Sequence, residues 1–311
     1  MRKAAALAAI LFCAAPARAF FVKPALKQTR GSRHYVSSSG SVDFGTDDLH
    51  VKPSVSAYHS DDTTGTFKTW SARAAYDYEK YEFALTGGFS PRVNGYANHF
   101  LGGEISAGFD FEKGGVDRPE ELAADDEKKE PSRRKFGVSR VDLTGAILRT
   151  DHSDEFSGTV NKKGQLVLVH STTSTLAIGQ TDFEGTVGVD ITKVRLEVDL
   201  TKSVYNQDIS RIGARAAQVT MLSGLTSTIQ GFPDVNVNAR LDLKMWAVVT
   251  PWTSYTYTTY KIQQPFSKAY AAGLDAVPIE DLTLSASVQS LVQGGQPTKG
   301  YVSLQAAYRF E

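Results

Sequence analysis

The sequence predicts an all-β fold, a single antiparallel up-and-down barrel of about 14–16 strands able to cross a membrane. Three observations carry that expectation. Segment after segment alternates apolar and polar residues, the period of a strand with one face in each environment. Short runs of Gly, Asp, Asn, Ser and Thr separate the segments, which is hairpin chemistry between consecutive antiparallel strands. Finally, no uninterrupted apolar stretch beyond the N-terminus approaches the roughly 18 residues of a membrane helix. Mean hydropathy is −0.25, a value compatible with a barrel because inward polar residues offset outward apolar ones on every strand.

Met1-Arg2-Lys3 is a basic start, Ala4 to Ala15 is apolar, and Ala17-Arg18-Ala19 is a small-x-small site. Residues 1–19 therefore read as a secretory signal peptide cleaved before Phe20. Cys13 is the only cysteine, and the bulky Phe12 before it argues against a lipid-attachment site. The rest of the chain has no thiol, so an exported protein must cohere through its sheet rather than through disulfides. Residues 20–33 read as a basic lead-in (Lys23, Lys27, Arg30, Arg33) without periodicity.

The strands follow from residue 34 onward. One face carries Val36, Val42 and Phe44; then Leu49, Val51 and Val55; then Trp70, Ala72, Ala74, Tyr76 and Tyr78. The next sets are Tyr81, Phe83, Leu85 and Phe89, and Leu101, Ile105, Ala107, Phe109 and Phe111. After a long charged loop at 112–135 come Val141, Leu143 and Ile147, a weak segment at Phe156 and Val160, and a less regular stretch from Gln165 to Gln180. Phe183, Val187, Val189 and Ile191 lead to Val194, Leu196, Val198 and Leu200, and then to a weak segment near Ile212. The longest alternation runs from Val235 through Leu241, Leu243 and Met245 to Val249. Tyr255 and Tyr257, Ala269 and Ala271, and Leu282, Leu284, Ala286 and Val288 precede the terminal segment. With the first strand near Val36 running outward, the 112–135 loop is the fifth connection and falls outside the cell, where barrels keep their longer loops.

The chain ends in Val302, Leu304, Ala306, Tyr308 and Phe310 on one face, with Ser303, Gln305 and Arg309 on the other, followed by Glu311. This strand resembles the C-terminal assembly signal of bacterial outer-membrane β-barrels, in which alternate apolar positions end in an aromatic; Tyr308 and Phe310 are the matching residues. The chain as a whole resembles the porin-like group of these proteins. The resemblance implies a bacterial outer-membrane location, passive movement of small polar solutes, contact with membrane lipid and lipopolysaccharide, and delivery by the barrel assembly machinery. It implies no cofactor.

If the apolar faces meet lipid, the alternate positions face the lumen. The pore-lining candidates are Arg73, Glu104, Arg140, Asp142, Asp190, Arg195, Glu197, Arg240, Asp242, Lys244 and Arg309, with Lys68, Asp77, Glu82, Glu184 and Asp199 among their neighbours. So many charges suit either a water-filled pore or a barrel knitted shut by salt bridges, because unpaired buried charge is costly. The 112–135 loop has an acidic half and a basic half; it reads as a solvated loop, a constriction folded into the mouth, or a cation-bridged contact to lipopolysaccharide. Tyr76, Tyr78, Tyr81, Phe83, Phe109 and Phe111 suit an interfacial girdle, with Tyr308 and Phe310 at the opposite rim and Trp252 in a turn of the inner rim.

Charge and motifs exclude other classes. The chain holds 34 basic and 34 acidic residues; without Arg2, Lys3 and Arg18 the balance is 31 to 34, which offers nucleic acid no positive surface. No nucleophile elbow, phosphate loop or zinc helix motif occurs, and no metal-ligand spacing stands out. His59-Ser60-Asp61-Asp62 and Asp151-His152-Ser153-Asp154 bring hydrolase residue types together, but adjacent strand residues point to opposite faces. The expectation is a non-enzymatic channel; a structural surface barrel and an outer-membrane hydrolase are the competing classes.

Overall fold

The alternation is realised as fourteen strands. A computed structural model describes residues 20–61, 65–93, 96–111, 137–158, 172–207, 232–261 and 265–310. The strands are β1 (Phe21–Gly31), β2 (Tyr35–Gly45), β3 (Leu49–His59), β4 (Phe67–Tyr78), β5 (Tyr81–Val93), β6 (Tyr96–Asp110), β7 (Val138–Gly158), β8 (Thr172–Ile191), β9 (Val194–Tyr205), β10 (Pro233–Leu243), β11 (Val249–Tyr260), β12 (Ser267–Ile279), β13 (Leu282–Gln293) and β14 (Lys299–Tyr308). Each pairs antiparallel with its sequence neighbour, and β1 pairs β14 from Ala25↔Ala307 to Gly31↔Tyr301, closing the barrel. Closure leaves no open edge, so every strand finds its hydrogen bonds within the sheet. The signal peptide at 1–19, the loop interior at 112–136 and the weak segment near Ile212 lie outside the described residues.

The predicted basic lead-in is corrected: Phe21 to Gly31 is a full barrel strand. Lys23, Lys27 and Thr29 take its inward face, while Val22, Pro24 and Leu26 face out, Leu26 with 71% of its surface exposed. Pro24 lacks an N–H, yet costs the ladder little, because regular pairing to β14 starts one residue later at Ala25. The extra strand moves the long connection between β6 and β7 from fifth to sixth. It therefore leaves from the rim that carries both chain termini, not from the far rim as predicted. The two rims are called here the terminal rim and the opposite rim.

Other boundaries shift for readable reasons. Phe156 belongs to the end of β7, and from Thr172 to Gln180 the irregular stretch is the first half of β8, while Val160 and residues 165–171 lie outside the described residues. The long alternation from Val235 breaks after Leu243; Lys244 to Val248 turn back without any Gly, Pro or Asn to mark it. On β12 the predicted face is inverted. Ala269 and Ala271 are buried inside, and Tyr270 and Leu274 are half exposed outside. Lys68 shares the outward parity of Trp70 and not the lumen.

Elsewhere the outer surface follows the predicted faces. Leu85, Leu101 and Leu304 are 66%, 67% and 60% exposed, and Trp70, Ile147, Phe183, Leu200 and Val288 are exposed beside them. Tyr76, Tyr78, Phe83, Phe111 and Phe310 form an exposed aromatic rim below this band. Tyr308 and Phe310 belong to the same rim as the β4–β5 turn, not to the opposite one. Arg309 bonds Asp47 in the β2–β3 turn at 3.0 Å, and the Asp77 amide bonds Asp48 O at 2.7 Å.

At the opposite rim the inward face of β1 ends in Gly31, over which the Tyr301 ring lies. A Cβ at Gly31 would fall well inside van der Waals contact of that ring and 2.8 Å from Gly300 O. Gly31→Ala is expected to destabilise the barrel by about 1–3 kcal/mol, the usual cost of overpacking. The midpoint of the heat-induced gel-mobility shift checks it; an unchanged midpoint would mean that Tyr301 swings away freely.

Candidate functional site

The lumen is built from two unlike walls. From β7 to β10, with Asp275 of β12, the wall carries a concentration of charge. Asp142 lies 2.7 Å from Arg140 and 2.6 Å from Arg195, and Arg195 also reaches Glu197 at 3.1 Å and Asp190 at 3.6 Å. Lys244 bonds Asp190 at 2.9 Å; Arg240 bonds Asp242 at 2.6 Å and Asp275 at 2.8 Å. Ladder register produces this: Asp190 faces Arg195 across β8–β9, and Arg195 and Glu197 face Asp242 and Arg240 across β9–β10. Arg73 forms a separate group with Glu82 and with Glu104 at 2.9 Å. From β13 through β2 the wall is rich in small polar residues, with Ser285, Ser287, Ser303 and Gln305, with Thr29 bonded to Ser303 at 2.8 Å, and with Lys27 as its charged member at the cavity.

Most of the predicted lumen residues thus come together. Arg140, Asp142, Asp190, Arg195, Glu197 and Lys244 form one network, Arg240 and Asp242 with Asp275 form a group beside it in ladder register, and Arg73 and Glu104 sit in a group of their own. Arg309 stands apart at the terminal rim, its guanidinium 4.5 Å above the Phe21 ring. Two glycines let the arginines lie flat on the wall. A Cβ at Gly188 would meet Arg195 Nη2 at 2.7 Å, and one at Gly108 would meet Arg140 Nη2 at 2.6 Å.

Between the walls lies a cavity of 370 Å³. Lys27 of the serine-rich wall lines it together with Asp182, Glu184, Glu197 and Asp199 of the charged wall. Trp252 lines it as well, which corrects its predicted place in a rim turn. It sits inside β11, with the Arg240 guanidinium 4.4 Å from its ring. The parity of Trp252 with Ser254 and Thr256 carried that information, but Pro251 beside it suggested a turn. Lys27 was hidden with the rest of β1.

A third feature is absent from the predicted set. Tyr35, Tyr58, Phe67, Tyr96 and Tyr301 point inward at the opposite rim and are buried. Their rings follow one another along the wall: Tyr301–Tyr35 at 5.2 Å, Tyr35–Tyr58 at 6.3 Å, Tyr58–Phe67 at 5.3 Å and Phe67–Tyr96 at 6.3 Å. Each is a strand-end aromatic on the lumenal parity. From Tyr96 a polar chain continues to His152 (2.8 Å), Gln180 (3.2 Å), Asp182 (2.8 Å) and Ser203 (2.6 Å). His152 uses both ring nitrogens, Nδ1 on the Tyr96 hydroxyl and Nε2 on Gln180 Oε1, and Ser203 donates to Asp182, so the serine hydroxyl of this chain meets a carboxylate and not the histidine. Of the other residues with hydrolase chemistry, Asp61 bonds His34 at 2.8 Å and Asp151 lies 3.3 Å from His99.

No family model and no curated protein matches the chain. Among solved structures, the outer-membrane protein OmpT of Vibrio cholerae is 10% identical, with 94% of this chain and 97% of that one covered at a TM-score of 0.44. OccK10 of Pseudomonas aeruginosa is 7% identical over 94% and 98% of the two chains, with a TM-score of 0.42. The CymD monoaromatic hydrocarbon channel is 7% identical over 94% and 88%, with a TM-score of 0.46. Likeness at this level carries nothing about activity.

Proposed function

We propose that the protein is a bacterial outer-membrane barrel whose lumen is a water-filled, cation-preferring channel for small polar solutes, without a catalytic role. Its exposed apolar band calls for lipid around it, with lipopolysaccharide at the outer leaflet, and both termini then lie on the periplasmic side. The observation that carries the channel reading is the course of the ion pairs. Arg140–Asp142, Arg195–Glu197 and Arg240–Asp242 join residues two apart on one strand. Arg73–Glu104, Arg195–Asp142, Lys244–Asp190 and Arg240–Asp275 reach only two strands away. Pairs that knit a barrel shut would cross it; these run along the wall. The strand number supports the same reading, since roughly eight strands are filled by side chains and larger barrels leave water inside.

The sign of the selectivity follows from the cavity lining. Asp182, Glu184, Glu197, Asp199 and Asp275 face it against Lys27 and Arg240, a negative balance that favours cations. Folded protein in a planar bilayer under a KCl gradient is expected to conduct with a cation-selective reversal potential. Arg240→Glu should move that potential further toward the cation limit, and Asp199→Asn should move it back. Correctly folded barrels that conduct at no applied voltage would defeat the channel reading and leave the structural barrel in its place.

A further inference from the structure

We propose that His50, Asp77 and Glu82 form a binding site for a divalent transition-metal ion on the inner wall at the terminal rim. A ring nitrogen of His50 and one oxygen from each carboxylate lie within 4.8 Å of one another. The site draws on three strands whose geometry is set by tight turns. Asp77 and Glu82 are register partners across β4–β5, joined by the two-residue turn Glu79-Lys80. Two like charges opposed on a ladder repel each other, and a bound cation removes that repulsion. His50 comes in from β3, with Nε2 3.9 Å from Asp77 Oδ2.

The orientation of the imidazole argues for a ligand rather than for a chance cluster. His50 Nδ1 lies 2.8 Å from Asp43 Oδ1, and in the neutral ring this contact places the proton on Nδ1. Nε2 then presents a lone pair toward the Asp77 carboxylate, another acceptor, across a gap that neither can close alone. A carboxylate behind a histidine whose other nitrogen is free is the arrangement that orients metal ligands and raises their basicity. The Phe21 ring, 6.2 Å from the imidazole, holds the other side. Arg73 takes Oε1 of Glu82 and of Glu104, which leaves the second oxygen of Glu82 for the ion. One nitrogen and two carboxylates suit zinc and its neighbours, with bonds of about 2.0–2.2 Å and ligand atoms about 3.3–3.5 Å apart. Side-chain rotation would close the three atoms from within 4.8 Å of one another to that spacing, and water from the lumen would complete the shell.

The test uses the untagged, folded full chain, stripped with a chelator and titrated with Zn²⁺ by calorimetry. One saturable site is expected. His50→Ala and Asp77→Asn should each weaken it at least tenfold, Asp43→Asn about tenfold through the lost orientation, and His99→Ala not at all. No saturable binding, or binding that His50→Ala leaves intact, overturns the proposal. Because His50 also packs at the rim, Cu²⁺ electron paramagnetic resonance on the unmutated barrel gives a readout that needs no variant to fold. Coupling to an imidazole nitrogen is expected; a spectrum with oxygen ligands alone overturns the assignment.

Discussion

Leu85→Arg is expected to abolish most accumulation of folded barrel. Leu85 lies in the middle of β5 with 66% of its surface exposed to the outside, between outward Phe83 and Phe89 and opposite outward Ala74 and Gly103. If that surface meets hydrocarbon, an arginine at mid-depth costs about 2–4 kcal/mol, a large share of the 5–15 kcal/mol that keeps a typical protein folded. Its ladder partners Ala74 and Gly103 offer the guanidinium no carboxylate, and reaching for the headgroups strains its stem. Ser285→Arg is the informative contrast. Ser285 lines the cavity and faces Asp275 across β12–β13, so an arginine there meets water and an acid. Heat-modifiable migration of membrane-extracted protein measures both. Equal folded yields for the two variants would mean that the outer surface is not in lipid, and a worse result for Ser285→Arg would invert the faces.

The contrast also marks what period-two reading can and cannot deliver. Wherever one face is rich in Val, Leu and Phe and the other in charge or in hydroxyl and amide groups, as on β5, β9 and β13, parity places most side chains. β12 escapes because Ala-Tyr-Ala-Ala-Gly-Leu has no polar face: alanine fits a crowded lumen as well as a lipid surface, and tyrosine is at home in either. β1 escapes because Lys23, Lys27 and Arg30 mask the apolar triplet Val22, Pro24, Leu26, and Pro24 argues against a strand until the late start of the β14 ladder is known. That one omission reverses the side of the long β6–β7 connection, since every later rim assignment depends on the parity of the strand count.

The site divides along the same line. Arg140, Asp142, Arg195, Glu197, Arg240 and Asp242 were legible as lumenal because charge on an alternating strand has one direction to face. Which acid meets which base was not, because it depends on inter-strand register and on small residues such as Gly188, over which Arg195 folds. The inward tyrosines escaped for a chemical reason. Tyr35, Tyr58, Tyr96 and Tyr301 sit at strand ends, where an amphipathic ring suits a lipid girdle and a lumenal mouth equally, and only parity against neighbouring serines separates the two. The His50 group was invisible in one dimension, since His50 stands 27 residues before Asp77 and 32 before Glu82 in the chain and the three meet only through the β3–β4–β5 ladder.

Ending the chain after Tyr308 is expected to be more damaging than any single side-chain change at the terminus. Regular pairing of β1 with β14 covers Ala25 to Gly31, so on that side the first four residues of β1 depend on Phe310. The Val22 amide donates to Phe310 O at 2.9 Å, and the Phe310 amide donates to Val22 O at 2.8 Å. Truncation removes both bonds and opens a sheet edge where the barrel closes. A stranded backbone group costs about 1–3 kcal/mol where water is excluded, and an open edge invites pairing with other chains. It also removes Arg309, whose amide bonds Asp281 O at 2.9 Å and whose guanidinium ties β14 to Asp47 and to the Phe21 ring. Phe310→Ala keeps the backbone pair and loses the ring, including its T-shaped contact with Tyr308 at 4.6 Å, a contact worth about 0.5–1.5 kcal/mol beyond its area. The expected order of folded yield is therefore wild type, then Tyr308→Ala, then Phe310→Ala, then the truncated chain. Purified protein refolded into lipid vesicles isolates the contribution of the seam from that of cellular delivery. If the truncated chain folds at wild-type yield in vesicles but fails in cells, Phe310 acts as an assembly signal alone; wild-type yield in both would remove both roles.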